Sequence, residues 1–142
     1  MTSGDIDYAF QAAGAYLTLY WYSGRVLGKG IIDSRHYMNL MIDYNQEKAL
    51  TIYLPLFQCM ANMASDDWKD AVLLTGEFIS DFEFEEKKFA NSTMMSYQMQ
   101  LCYYFGDMDL AGEFMFKMHM ERCFFYPLQL TFLLLFGLLL PP

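Results

Sequence analysis

Apolar residues recur at helical spacing along most of the chain. Over residues 8–22, Ala9, Ala12 or Ala13, Tyr16 and Tyr20 fall on one line, and Asp5 and Asp7 stand just upstream. Carboxylates there suit the positive end of a helix dipole. Ser23-Gly24 is the expected stop, because glycine accepts the left-handed backbone that closes a helix. A second helix is predicted over about residues 31–43, with Ile31, Arg35, Met38 and Ile42 on one face and Tyr37, Met41 and Tyr44 on another, and Asn45 as its break. The third, about 46–63, carries Leu50, Leu54, Phe57, Met60 and Ala64 at core spacing. Pro55 lies inside it and is expected to kink it rather than end it, since the periodicity continues.

Residues 65–82 are the least regular, with an acidic cluster and Gly76. Ser80-Asp81-Phe82-Glu83 matches a capping box, opening a fourth long helix that runs to Phe105 with Ala90, Met94, Tyr97, Leu101 and Tyr104 inward. Gly106-Asp107 reads as a tight turn. The fifth helix, about 108–120, points Ala111, Phe114 or Met115, and Met118 inward. Strand alternation is absent from this pattern. The fold class is therefore all-α, a bundle or a solenoid.

Two hexamers decide for the solenoid. Gly4-Asp5-Ile6-Asp7-Tyr8-Ala9 and Gly106-Asp107-Met108-Asp109-Leu110-Ala111 share one pattern and begin 102 residues apart, three times the 34-residue tetratricopeptide period. In the repeat reading Gly4 and Gly106 close turns, Asp5 and Asp107 cap the following helices, and Ala9 and Ala111 are buried where helices touch. The middle copies are degenerate, so the repeats are irregular. The expected architecture is antiparallel helical hairpins in a tetratricopeptide-like right-handed superhelix. It forms one domain over 1–142, a fragment of a longer repeat array.

Several stretches carry a family resemblance: GDIDYAFQAAGAYLTLYWYSGRVLG, DSRHYMNLMIDYNQEKALTIYLPLFQCMANMA, VLLTGEF and MMSYQMQLCYYFGDMDLA. Over most of residues 4–120 the chain resembles the irregular helical-repeat region of large multidomain signalling proteins. Those proteins place a protein-kinase-like domain and an AAA/STAND-type ATPase before it and a histidine kinase or nucleotide cyclase after it. The resemblance implies a non-catalytic helical linker whose partners are proteins or neighbouring domains of a parent chain. It carries over no catalytic residue, cofactor or metal.

Charge narrows the partners. Net charge is −8, and eight acids lie between Asp66 and Glu86 against Lys69 alone. A chain without a basic stripe is a poor ligand for nucleic acid or anionic membranes. Charged residues are only 18% of the chain and hydrophobic ones 55%, so a soft interior or contact surface rich in Met, Tyr and Phe is expected. Tyr16, Tyr20, Trp21, Tyr97 and Tyr104 are the candidates for protein contact or inter-helix packing. Cys59, Cys102 and Cys123 match no zinc spacing and read as buried, reduced thiols of a cytoplasmic protein. The polar start, Met1 to Asp5, predicts no signal peptide.

Chemistry is sparsely signalled, and no enzyme is expected. His36 and His119 stand alone, without metal spacing. Asp66, Asp67 and Asp70 lack the glycine and closing glutamate of a calcium loop, and Glu83, Glu85 and Glu86 beside Lys87 and Lys88 read as a solvated helix start. Residues 23–30, SGRVLGKG, lack the Ser or Thr of a phosphate loop and follow a helix, not a strand. Cys123 to Leu140 is eighteen residues without a charge. The preferred reading is a sixth repeat helix packed on the fifth, with an apolar face that drives self-association. The alternative is a short membrane anchor, which would make the chain a small membrane-associated protein.

Overall fold

The computed structural model describes residues 3–65, 72–79 and 88–120. Among them all regular structure is helical: α1 (Ser3–Tyr22), α2 (Leu27–Asp43), α3 (Glu47–Met63), α4 (Lys88–Phe105) and α5 (Met108–Met120). The helices pack in chain order, α1 on α2, α2 on α3, α3 on α4 and α4 on α5, and α1 also packs on α3. Contacts between α1 and α2 pair Tyr20 with Gly30, Tyr16 with Asp33 and Phe10 with Tyr44, which is antiparallel order. The capping-box residues 80–83, the acids at 66, 67, 70, 83, 85 and 86, Cys123 and the 123–140 run lie outside the described residues.

The helix stops follow backbone chemistry. Asn45 (φ 52°) ends α2 in the left-handed region, with Gln46 N donating to Met41 O at 2.8 Å and Asn45 N to Ile42 O at 3.0 Å. This pair of bonds is a Schellman closure, which satisfies carbonyls the helix leaves over. Gly106 (φ 83°) ends α4 the same way, through Asp107 N to Cys102 O and Gly106 N to Tyr103 O. Asp107 then caps α5, its Oδ1 accepting from Leu110 N at 3.1 Å. Gly24 (φ 65°) follows α1.

The first hexamer does something else. Gly4 and Asp5 lie inside α1, so they make no turn. Ile6, packed against the core, extends the helix upstream, and Asp5 sits in the first turn where the dipole favours it. Ala9 is exposed, whereas Ala111 is partly buried against the core. The two hexamers therefore have different structures.

The core is built on α3. From Leu54 to Met60 every residue is buried, Pro55 included, because α1, α2 and α4 all pack on this helix. Ala64 is exposed and follows the last turn. The inward face of α1 is Phe10, Ala13, Leu17, Tyr20 and Trp21, not the line through Ala9, Ala12 and Tyr16. Phe10, Leu17, Tyr20 and Trp21 supply large apolar surfaces on that face, and burial stabilises in proportion to apolar area, although Tyr8, Tyr16 and Leu19 stay outside. On α2 the buried positions are Gly30, Ser34 and Met41, and Arg35 and Ile42 face water. Small residues there admit the Tyr20 ring and Met60 sulfur, and Ser34 Oγ satisfies itself on Gly30 O at 2.8 Å. On α4, Tyr97 and Leu101 are buried and Met94 partly so, but Tyr104 is exposed. On α5, Met118 is buried, Phe114 is partly buried and Met115 faces water.

Candidate interaction surface

The five aromatic candidates separate into two kinds. Tyr20, Trp21 and Tyr97 are buried packing residues. Tyr20 donates its hydroxyl to Val26 O at 2.6 Å, tying α1 to the connector. Trp21 Nε1 donates to Gln100 Oε1 at 3.0 Å, a buried bond between α1 and α4. Tyr97 is fully enclosed, and burial holds its hydroxyl well above the usual tyrosine pKa. Tyr16 and Tyr104 remain 38% and 45% exposed. Tyr16 donates to Asp33 Oδ2 at 2.9 Å, and that carboxylate raises its pKa. Tyr104 stands edge-on to Trp21 at 6.0 Å. Tyr16 lies on the α1–α2 side and Tyr104 on the α1–α4 side, so the five do not form one binding face.

A surface that the periodicity missed lies on α1. Tyr8, Ala12, Ala15 and Leu19 are all exposed, at steps of four, three and four residues, with Tyr8 at 74% and Leu19 at 62%. Those steps place them along one stripe of a helix, and Ala9 and Tyr16 border it. On α5 a smaller patch exposes Met108, Met115 and Phe116. Both outer helices thus turn apolar side chains to solvent.

Residues 72–79 form a second feature. This irregular strap lies on the helices with Val72, Leu74, Phe78 and Ile79 buried. Phe78 N donates to Gln58 Oε1 at 2.8 Å, and Gln98 Nε2 donates to Leu73 O at 3.4 Å. Arg35 on α2 grips the Glu77 carboxylate through Nε and Nη2, the latter at 2.8 Å from Oε2. The guanidinium lowers the Glu77 pKa, chiefly by hydrogen bonding.

The other sequence candidates fall into ordinary places. His36 is exposed beside the Tyr37 ring, and His119 belongs to the last turn of α5. Gly28, Lys29 and Gly30 are in the first turn of α2, where Gly30 meets the Tyr20 ring. Cys59 and Cys102 are buried free thiols, with pKa values pushed up by burial, Cys102 to about 11. Such thiols are poor nucleophiles. Among the described residues no group of three His, Cys, Asp or Glu side chains could hold a metal, and no helix is long and apolar enough to cross a membrane. Compared with known proteins, the chain matches no family model, no curated protein and no solved structure.

Proposed function

We propose that the chain is a non-catalytic protein-interaction or regulatory scaffold, built as an irregular tetratricopeptide-like superhelix. The observation that carries the reading is the exposed stripe of Tyr8, Ala12, Ala15 and Leu19 on α1. A helix with one apolar face on the core and another facing water is what an internal unit of a stacked array presents to its neighbour. The packing of α3 on both α1 and α2 supports the same reading, since in stacked hairpins each new first helix rests on the preceding pair. The partner is a protein or an adjoining domain of a parent chain in the cytoplasm, and the α5 patch offers a second face for self-association.

The test is affinity capture with a Tyr8→Lys/Leu19→Lys variant beside the wild type. Both side chains are exposed, so circular dichroism should be unchanged. A partner held by the wild type and lost from the variant supports the scaffold. No reproducible partner for either protein sinks it.

A second reading rests on the uncharged run 123–140, whose length approaches that of a membrane-spanning helix. Liposome flotation separates the two. Alkali-resistant association of the full chain would establish a membrane anchor.

A further inference from the structure

The strap at residues 72–79 is held the way a bound peptide is held. It belongs to no helix, yet it buries alternate groups of side chains, Val72 and Leu74, then Phe78 and Ile79, and leaves Leu73, Thr75, Gly76 and Glu77 in water. Its backbone is read by side chains from two separate helices. Gln58 accepts from Phe78 N and is itself aimed by donating Nε2 to Asn62 Oδ1 at 2.5 Å. Gln98 donates to Leu73 O. Recognition of backbone groups by fixed side-chain amides, with pockets for a few anchors, is how extended segments are captured in trans. Phe78 adds an aromatic anchor, edge-on to Phe57 at 5.9 Å, and Arg35 adds a two-point grip on a carboxylate.

The strap also fits its seat at a backbone cost. Leu74 is fully buried with φ 54°, a left-handed conformation unusual for a leucine. Gly76 has φ 141° and lies against Gln58, where a Cβ would fall 2.6 Å from Nε2. A segment that made the same contacts without the left-handed leucine would bind with less strain. The strap is therefore a displaceable occupant by construction.

We infer that the face formed by Arg35, Phe57, Gln58 and Gln98 is a peptide-binding seat that Val72–Ile79 fills in cis. The partner is an extended segment with two large apolar anchors four residues apart and a carboxylate immediately before the second. It enters by displacing the strap, which makes the strap an autoinhibitory contact. This rests on the scaffold reading but uses a surface separate from the α1 stripe.

The probe is a fluorescent synthetic peptide of residues 70–81, DAVLLTGEFISD, titrated by anisotropy into the full chain. Leu74→Ser/Phe78→Ser empties the seat and should bind the peptide about tenfold or more tightly than wild type, whose seat is filled. Since that variant loses core side chains, Glu77→Arg serves as the second. It breaks only the exposed ion pair, so it should keep the fold, speed hydrogen exchange at the Phe78 and Ile79 amides and raise peptide affinity. In Leu74→Ser/Phe78→Ser, Arg35→Glu should weaken the peptide about tenfold, and a peptide carrying Glu77→Arg should restore it. If a folded Glu77→Arg chain binds the peptide no better than wild type, the inference is overturned. It is equally overturned if binding rises but ignores Arg35→Glu. Tyr8→Lys should leave this binding unchanged, so loss of partners through the α1 stripe and failure of the seat are told apart.

Discussion

Gly14 on α1 receives the ring of Tyr53 from α3. A Cβ built on Gly14 would collide with the ring at Cζ, Cε1 and Cε2. Glycine is a poor helix former, so in an exposed helix alanine would gain up to about 1 kcal/mol. Here the collision outweighs that gain. Gly14→Ala should destabilise the chain by about 1–3 kcal/mol, the usual overpacking range, read as a lowered chemical-denaturation midpoint. Tyr53→Leu in the same chain should recover part of the loss, because residues in direct contact are not additive. A stabilising Gly14→Ala would show that α1 and α3 are further apart than the structure places them.

Trp21 and Gln100 set up a buried polar link between α1 and α4. Burial pushes the nearby Tyr22 hydroxyl above the usual tyrosine pKa, and the Gln100 amide opposes that push. Gln100→Leu should leave the indole N–H without its acceptor in an apolar site, at about 1–3 kcal/mol. Trp21→Phe removes the donor together with part of a large buried ring and should also destabilise. A double-mutant cycle should show coupling between the two, and strict additivity would mean that the bond contributes nothing.

The Glu77 carboxyl has a folded pKa below its ordinary value of 4.5 because Arg35 hydrogen-bonds the charged form. The grip is therefore complete above the ordinary carboxylate range and is lost as pH falls through the lower, folded pKa. Hydrogen exchange at Phe78 and Ile79, corrected for intrinsic rate, should accelerate on acidification before the helices open. Glu77→Gln should show the faster exchange already at neutral pH and abolish the acid step.

Alkali should act through the thiols. Burial raises Cys59 well above the ordinary 9.0 and Cys102 to about 11. The unfolded chain then releases protons that the folded chain keeps, so the thiols' contribution is full below about pH 9 and is lost as pH rises through the folded pKa values, about 11 for Cys102. Cys59→Ala/Cys102→Ala should flatten that decline in melting temperature while lowering stability at neutral pH through lost packing. Alkylation mapped by mass spectrometry should leave Cys59 and Cys102 unmodified in the native state at pH 8.

What could be read from the chain in advance follows from how local the physics is. The ends of α1, α2 and α4 were legible at Gly24, Asn45 and Gly106 because a left-handed residue is a property of one position. The buried face of α3 was legible through Leu50, Leu54, Phe57 and Met60. The inward face of α1 was not, since Tyr8, Ala9, Ala12, Ala15 and Leu19 are apolar yet exposed and leave periodicity no polar face to register against. On α2 two of the three buried positions, Gly30 and Ser34, are residues that hydrophobicity does not flag, and Met41 is the third. The strap depends on Gln58 meeting Phe78 and Arg35 meeting Glu77, pairings across 20 and 42 residues that no local pattern announces.

Ala9 and Ala111 make the sharpest comparison, because they occupy the same place in the two hexamers and different places in the fold. Ala9 is exposed on α1, and Ala111 is partly buried on α5, four residues after the capping Asp107 and packed against the core. If the hexamer were a packing motif, a larger side chain would harm both. The structure instead separates them. Ala9→Leu adds apolar area in water and should change stability by no more than about 0.5 kcal/mol. Ala111→Leu pushes a branched side chain toward the core and should cost about 1–3 kcal/mol. Asp107→Ala should likewise lose about 1 kcal/mol with the α5 cap. Denaturant midpoints of these three variants at one pH check the whole set. Equal losses at positions 9 and 111 would restore the hexamer as a repeated helix contact and overturn the outward face assigned to α1.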